Sequence, residues 1–551
     1  MKKILYLFAI AILVVSCGQK SSESYFIPKN AIGVMYINLE SLSKKSSDVD
    51  FKSLSIHKMI EENAPKEMKQ FMDEHMTAEN INATFRKELV LGFMSVNQMT
   101  PMGGLILPIK DAASFEKMIK PMLDQAPGIE KQEGVGKGSG FTVYSNREMA
   151  IGWDNTTALI IGAQNFAGQE LIDLTNLSSD ESINSANYFS SFLDKGKDMG
   201  LHISSTPLSR LAAPFLMGSG VNMDLKNNDF VYYSTFEEDR VLTEAKLKMN
   251  DDFKEVSGYE KWMSTDYDAS LLNMMPNDAS MVMKFSVDPT AMYKHFEGLQ
   301  DSKVFPEMAK GQLKMGLRQM NREMKREIGM TMEEVAGIFE GTMMMGMTKG
   351  VKVKDSVYTY NYDGPEYEVY EREMPYMYVA LSIKDQAKFD NILNMIMKKE
   401  APMETKGKNY FQLEKDAFLV IKDGKLFFTN NGAKADEVYN SGKLASNLSG
   451  FEHKSKMSNS MYMYMKSDFY KAYSGMLDGL NPYARYGNGG LDMASMSDTY
   501  MQYFGDSHVT MGTDGMEMYS YTKGEGNSLV RMIMYSDALV KEMSKMMPSS
   551  Y

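Results

Sequence analysis

Cysteine is almost missing from this chain: Cys17 is the only one among 551 residues. That excludes a disulfide framework and a cysteine-based zinc site, so size and core must supply the stability. Histidine is scarce as well. The six stand at His57, His75, His202, His295, His453 and His508, and none is spaced as His-Glu-x-x-His or as another paired metal site. His202 falls inside an expected strand, where a partly buried imidazole with a satisfied partner is the simple explanation. The glycines from Gly134 to Gly140 lack the order of a phosphate loop and precede a strand, so they read as a hairpin loop. No Gly-x-Ser-x-Gly elbow occurs, and no carboxylate pair can be nominated as acid and base. Net positive charge is absent too. Sixty Lys and Arg face 72 Asp and Glu, a formal charge of −12 that becomes −14 once Lys2 and Lys3 are removed. Such a surface repels phosphate backbones, which excludes nucleic acid as the expected partner. Beyond residue 17 no run approaches the roughly 20 apolar residues that cross a bilayer. Neither a catalytic residue nor a cofactor or metal site can be named, and the expectation is a protein that is not an enzyme.

What is present begins at the N-terminus. Met1-Lys2-Lys3, the apolar run Ile4 to Val15 and then Ser16-Cys17-Gly18 form a secretory signal, too short to span. Val14-Val15-Ser16-Cys17 resembles a lipobox, in which cleavage before the cysteine leaves it to carry fatty acyl chains such as palmitate. Residues 1–16 are therefore expected as a lipoprotein signal peptide, Cys17 as the lipidated residue and 17–24 as a small, polar tether. Acyl chains add about 0.8 kcal/mol per buried methylene, so two or three on one residue anchor stably. Gly18 is not the aspartate of inner-membrane retention, and by analogy the destination is the outer membrane, with its periplasmic or outer side left open.

Methionine is the compositional outlier, with 53 residues. Soft thioethers suit Cu(I), and clusters stand at Met343-Met344-Met345-Met347, at Met461-Met463-Met465 and at Met516-Met518. The plainer reading makes methionine a flexible core filler. It is favoured by the spread of methionines along the chain and by Met461, Met463 and Met465 alternating with Tyr462 and Tyr464, as if on one buried strand face.

The order of elements occurs twice. Ile27-Pro28-Lys29-Asn30-Ala31 opens an apolar strand, and so does Met275-Pro276-Asn277-Asp278-Ala279. Ile109-Lys110-Asp111 and Ile383-Lys384-Asp385 each end a strand and cap a helix bearing Phe115 or Phe389. Hairpins follow at 149–162 and 418–429, then strands at 201–204 and 461–465, then hairpins at 230–247 and 509–521. Closing helices are expected at 252–263 and 528–546. The offset grows from 248 residues at Pro28 and Pro276 to 274 at Ile109 and Ile383, so the second half holds extra sequence. Its candidate is Tyr358 to Met374, and a long helix from Glu307 to Glu327 is expected to bury Met308, Leu313, Leu317, Met320 and Met324. The fold class is α+β, a tandem duplication of an antiparallel sheet domain with helices packed on the sheet, over 25–263 and 264–547.

The lipobox, the Pro-x-(Asn/Asp)-Ala openings at Pro28 and Pro276 and the length resemble an uncharacterised family of Bacteroidota lipoproteins, a domain of unknown function. That resemblance implies no site residues. In the insert, Asp355-Ser356-Val357 matches a Bacteroidota O-glycosylation triplet, making Ser356 a candidate modification site. The tyrosines from Tyr358 to Tyr378 read as one face of a hairpin, with sugar or protein stacking as the alternative. The leading expectation is a lipid-anchored envelope lipoprotein with a non-enzymatic binding or structural role, its partner an envelope protein or glycan. The alternative is an enzyme or glycan-binding accessory protein with a site between the halves. Copper binding through methionine is the third.

Overall fold

The computed structural model describes residues 22–55, 57–59, 69, 74, 77–97, 100–124, 126, 128–136, 140–193, 196–361, 364–399, 404–469 and 493–546. The signal segment 1–16 and Cys17 lie outside the described residues. The chain divides into two units, residues 1–219 with 224–250 and 525–537, and residues 220–223 with 251–524 and 538–551. Both are α+β, with antiparallel sheets and helices packed on them.

The strands of the first unit are β1 (Gly33–Asn38), β2 (Leu89–Asn97), β3 (Thr100–Pro108), β4 (Glu130–Val135), β5 (Phe141–Ser145), β6 (Met149–Trp153), β7 (Thr157–Ala163), β8 (Met199–Ser204), β9 (Asp229–Phe236) and β10 (Arg240–Lys248), apolar in most and polar and exposed in the edge strand β4. They pair in the order β10-β9-β8-β1-β2-β3-β7-β6-β5-β4, every pair antiparallel. The second unit contributes β11 (Met281–Ser286), β12 (Phe339–Asn361), β13 (Gly364–Ile383), β14 (Glu404–Gly407), β15 (Tyr410–Glu414), β16 (Ala417–Lys422), β17 (Lys425–Thr429), β18 (Met461–Met465), β19 (Phe504–Gly512) and β20 (Gly515–Thr522). Their order is β20-β19-β18-β11-β12-β13-β17-β16-β15-β14, which repeats the first strand by strand. Pro28 and Pro276 sit just before the corresponding strands β1 and β11, bridged to Ser182 and Asn447 respectively.

Successive side chains point to opposite faces, and both faces of each sheet carry apolar residues. One face of the first carries Val34, Tyr36, Leu91 and Ile161 under the helices Ala167–Thr175 and Asn187–Leu193. The other carries Val90, Leu107, Ile151 and Trp153 under the helix Ala112–Asp124, which presents Phe115, Met118, Ile119 and Leu123. In the second sheet Val282, Met344, Ala380 and Phe427 lie under Gly432–Ser441, while Ile383, Phe411 and Ile421 meet Phe389 of Gln386–Lys399. Asp111 and Asp385 accept from the backbone N–H groups of Ser114 (2.8 Å) and Lys388 (3.0 Å), capping the two helices as their sequence suggests. Asp423 and Gly424 have φ of 49° and 71°, the left-handed pair that an Asp-Gly hairpin turn requires.

Several expectations need correction. The tether is shorter than residues 17–24, because Ser22–Phe26 forms a 3-10 turn with Glu23 and Ser24 buried. Arg86 holds that turn: its guanidinium pairs with Glu23 and Glu88 and donates to the carbonyls of Ile109 (3.0 Å) and Thr156 (2.9 Å). Ser24 Oγ adds a 2.6 Å bond to Asn184. The helix Glu307–Ile328 buries none of its residues; Leu313, Leu317 and Met324 are half-buried, and Met308 and Met320 are exposed. Its apolar stripe is too thin beside the row Lys310, Lys314, Arg318, Arg322 and Arg326, which recurs every fourth residue. The segment 251–263 groups with the second unit, where Met263 bridges to Val287 and the Asp288 amide donates to Trp262 O at 2.7 Å. The extra sequence of the second half is the outer end of a long hairpin, register Val351↔Met374 to Asn361↔Gly364, where β2 and β3 stop at nine residues each.

Glu23 is a buried carboxylate whose partner is Arg86, so removing the guanidinium leaves a charge without compensation. Arg86→Met should lower the stability of the first unit by about 3 kcal/mol, and adding Glu23→Gln should recover part of that loss. Urea unfolding of the two single variants and the double variant measures the coupling.

Candidate functional site

The strongest concentration of perturbed polar groups lies on the helix-covered inner face of the second sheet. Because Val282 points inward, alternation turns Lys284 and Ser286 of β11 inward too, and both are fully buried. Lys284 faces Tyr462 of β18, and the Ser286 amide donates to the Ser460 carbonyl at 2.7 Å. Lys284 Nζ donates to the Asn459 carbonyl at 2.7 Å and stands 5.0 Å from the centre of the Tyr267 ring. Burial pushes its ammonium down to about 8. Around it, the hydroxyls of Tyr462, Ser286 and Ser460 are buried without a hydrogen-bond partner among the described residues. Burial holds the Tyr462 phenol well above the usual tyrosine range.

Beside this block stand two of the histidines. His508 of β19 faces Tyr464 of β18, and its ring centre is 5.0 Å from that of His453. Lys456 Nζ lies 2.6 Å from His508 Nε2 and 4.1 Å from the centre of the Tyr519 ring. An ammonium can only donate, so Nε2 accepts and the proton of the neutral imidazole belongs on Nδ1. His453 is pushed down by burial, against the attraction of Glu452 at 3.2 Å. Tyr464 donates to Asp506 at 2.5 Å, and burial together with that carboxylate raises its phenol.

The first unit has a quieter counterpart. His202 takes the place of Tyr464, opposite Val34 as Tyr464 is opposite Val282. It stacks on Tyr188 at 3.9 Å with Asp229 3.6 Å away, and burial outweighs that carboxylate in lowering its pKa. Tyr36 takes the place of Lys284 and faces Gly200, where a Cβ would meet the Tyr36 ring at 2.3 Å. The aromatic ring has therefore changed strands between the sheets, Tyr36 across from Gly200 in one and Tyr462 across from Lys284 in the other.

These groups form a closed interior that fixes the middle of each sheet. Lys284, Tyr462 and His508 are each at most 1 % exposed. Among the described residues, no three His, Cys, Asp or Glu are grouped to hold a metal ion. His295 is buried with Nε2 3.0 Å from the Val256 carbonyl, His57 is half-buried, and His75 lies outside the described residues. Lys284 escaped the sequence reading. Its signal was the strand Met281-Val-Met-Lys-Phe-Ser286, in which inward Val282 makes Lys284 inward.

The opposite face of the same sheet overturns the expectation for Met461, Met463 and Met465. The buried side of β18 belongs to Tyr462 and Tyr464, while the three methionines are half-buried on the outer side. Strand register aligns them with others in three rows. The first reads Met516, Met511, Met461, Phe285, Met343; the second reads Met518, Val509, Met463, Met283, Met345; the third reads Ser520, Ser507, Met465, Met281, Met347, Met377. Ser356 lies on β12 opposite Val369 and is exposed. Tyr376 is half-buried and Tyr378 buried; the side chains of Tyr358, Tyr360, Tyr367 and Tyr370, and all of Tyr362, lie outside the described residues. Gly134, with φ of 66°, lies in β4 at its register shift, and Gly136, with φ of 81°, stands between β4 and β5.

No family model matches the chain, and no curated protein matches it. Two crystal forms of the protein TP0453 align with part of it. Form I shows 11% identity and a TM-score of 0.24 over 42% of this chain and 80% of that one. Form IV shows 12% identity and a TM-score of 0.25 over 41% and 81%. At these scores the likeness transfers neither fold nor function.

Lys284 gives a pH signature. Its folded value of about 8 is below the ordinary 10.5, so the folded chain binds fewer protons between them and stability rises with pH across that window. Lys284→Met should remove this rise. Relative to the variant, wild type should gain about 3 kcal/mol between pH 7 and 10.5, read from urea midpoints of both proteins.

Proposed function

We propose that this chain is a lipid-anchored lipoprotein of the bacterial envelope that acts by binding or as a structural element rather than by catalysis. The observation that carries the reading is the junction between anchor and fold. The lipobox-like Val14-Val15-Ser16-Cys17 is followed within five residues by the 3-10 turn Ser22–Phe26, locked down by Arg86. Five residues reach at most about 18 Å. An acylated Cys17 therefore keeps the first unit close against the bilayer. Among the described residues no helix is long and apolar enough to cross a membrane, so on this reading the acyl chains carry the attachment.

Gly18 in place of aspartate favours the outer membrane. The repeated strand order further supports an origin of the two units by duplication of one. The closed interior around Lys284 and His508 fits a scaffold, since groups that never meet solvent hold shape rather than substrate. A partner in the envelope, protein or glycan, remains the class of ligand this reading assigns.

Replacing Cys17 by Ala should move the protein from the membrane fraction to the soluble fraction after alkaline washing. A Cys17→Ala protein that stays with the membrane would place the attachment elsewhere in the chain.

A further inference from the structure

The methionines on the outer face of the second sheet are not a requirement of the scaffold. Across the six strands from β20 to β13, the three rows hold twelve methionines. The first unit builds the corresponding face, from β10 to β3, with leucine, isoleucine, tyrosine, alanine and glycine, and has only Met35, Met94 and Met199 on it. Two sheets of the same strand order thus solve the same packing problem, one nearly without thioethers and the other mainly with them. A general need for flexible filler would fall on both alike.

Register places the longest unbroken run of opposed methionines in one row. Met281 lies directly opposite Met465 on one neighbouring strand and Met347 on the other, and Met347 lies opposite Met377. Directly opposed residues hold their Cβ atoms roughly 4.5–5.5 Å apart, a gap that flexible methionine side chains close. These four side chains pack as one cluster with Phe469, with Met281 and Met347 buried and Met377 and Met465 half-buried. Three or four neutral thioethers in apolar surroundings bind hard cations poorly and suit a soft monovalent ion. The apolar setting also disfavours a doubly charged ion, since the row itself supplies no carboxylate to offset its desolvation.

We propose that this row is a binding site for Cu(I), with Met281, Met347, Met377 and Met465 as the thioether donors. Occupation involves no electron transfer, because the ion enters and leaves as Cu(I). The site is independent of the lipid-anchor reading and stands whether or not Cys17 is acylated.

The test uses the full-length Cys17→Ala protein, which has no thiol to compete for the ion. Under ascorbate it should withdraw one equivalent of Cu(I) from a chromophoric Cu(I) chelator. The Met281→Leu/Met347→Leu double variant should bind at least tenfold more weakly, while Met35→Leu/Met94→Leu on the first sheet should bind as wild type does. Leucine conserves the volume, so near-ultraviolet circular dichroism should show all three proteins folded. A second measurement needs no variant: methyl-labelled methionine spectra should shift at Met281, Met347, Met377 and Met465 on adding Ag(I), a redox-inert stand-in. The proposal is overturned if wild type takes no Cu(I) from the chelator. It is equally overturned if the double variant binds as tightly as wild type, or if Ag(I) shifts methionines spread over the chain rather than this row.

Discussion

A strand inside an antiparallel sheet points successive side chains to opposite faces, so one residue's direction decides that of all its neighbours. In β1 and β11 this constraint organises everything around them. Val34 and Val282 face inward, which commits Tyr36 and Lys284 to the same interior and sends Met35 and Met283 out. Each sheet then needs helices on both faces: those of the outer face leave the strands through the capping aspartates Asp111 and Asp385, and those of the inner face are Ala167–Thr175 and Asn187–Leu193 in the first unit and Gly432–Ser441 in the second. A slip of one residue in β11 would exchange the Lys284 face for the methionine face, so the register is strongly specified.

The two interiors show how one scaffold tolerates different chemistry at matched positions. The first sheet seats Tyr36 against Gly200, and the second seats Lys284 against Tyr462, keeping one large ring on that pair of strands. One place further along, His202 lies beside Asp229 and Tyr464 beside Asp506, each a ring with a carboxylate at the next corner of the sheet. The second interior is the more costly one, since burial of Lys284 disfavours its charge and three hydroxyls nearby have no partner among the described residues. Its stability is borne by the apolar remainder, Val282, Met344, Ala380 and Phe427, and by the helices above them.

The outer faces divide in a related way. In both sheets one half is covered by the helix after the Asp cap, at Phe115 or at Phe389. Beyond that helix the first sheet turns to small and branched residues and the second to thioethers. Methionine is soft enough to pack and to ligate, and only the spatial arrangement separates the two uses. A fourfold excess on one of two like faces is the feature that the soft-ion proposal explains.

Sequence by itself determined the α+β class, the positions of the proline-opened strands, the two helix caps and the Asp-Gly turn, because each rests on a pattern local in the chain. It also showed the order of elements occurring twice, since that needs only matching along a line. Which face of a strand is buried was decided by tertiary structure. Met461-Tyr-Met-Tyr-Met465 alternates perfectly either way, and only its pairing between β11 and β19 puts the tyrosines inside. The same holds for the helix Glu307–Ile328, whose stripe predicts burial but whose neighbours leave it half-covered. Lys284, His453 and His508 come together from positions more than fifty residues apart, or across three strands, and no local pattern encodes that meeting. Side-chain direction and sequence-distant contact are properties of pairing, and pairing is settled only when the whole sheet closes on its core.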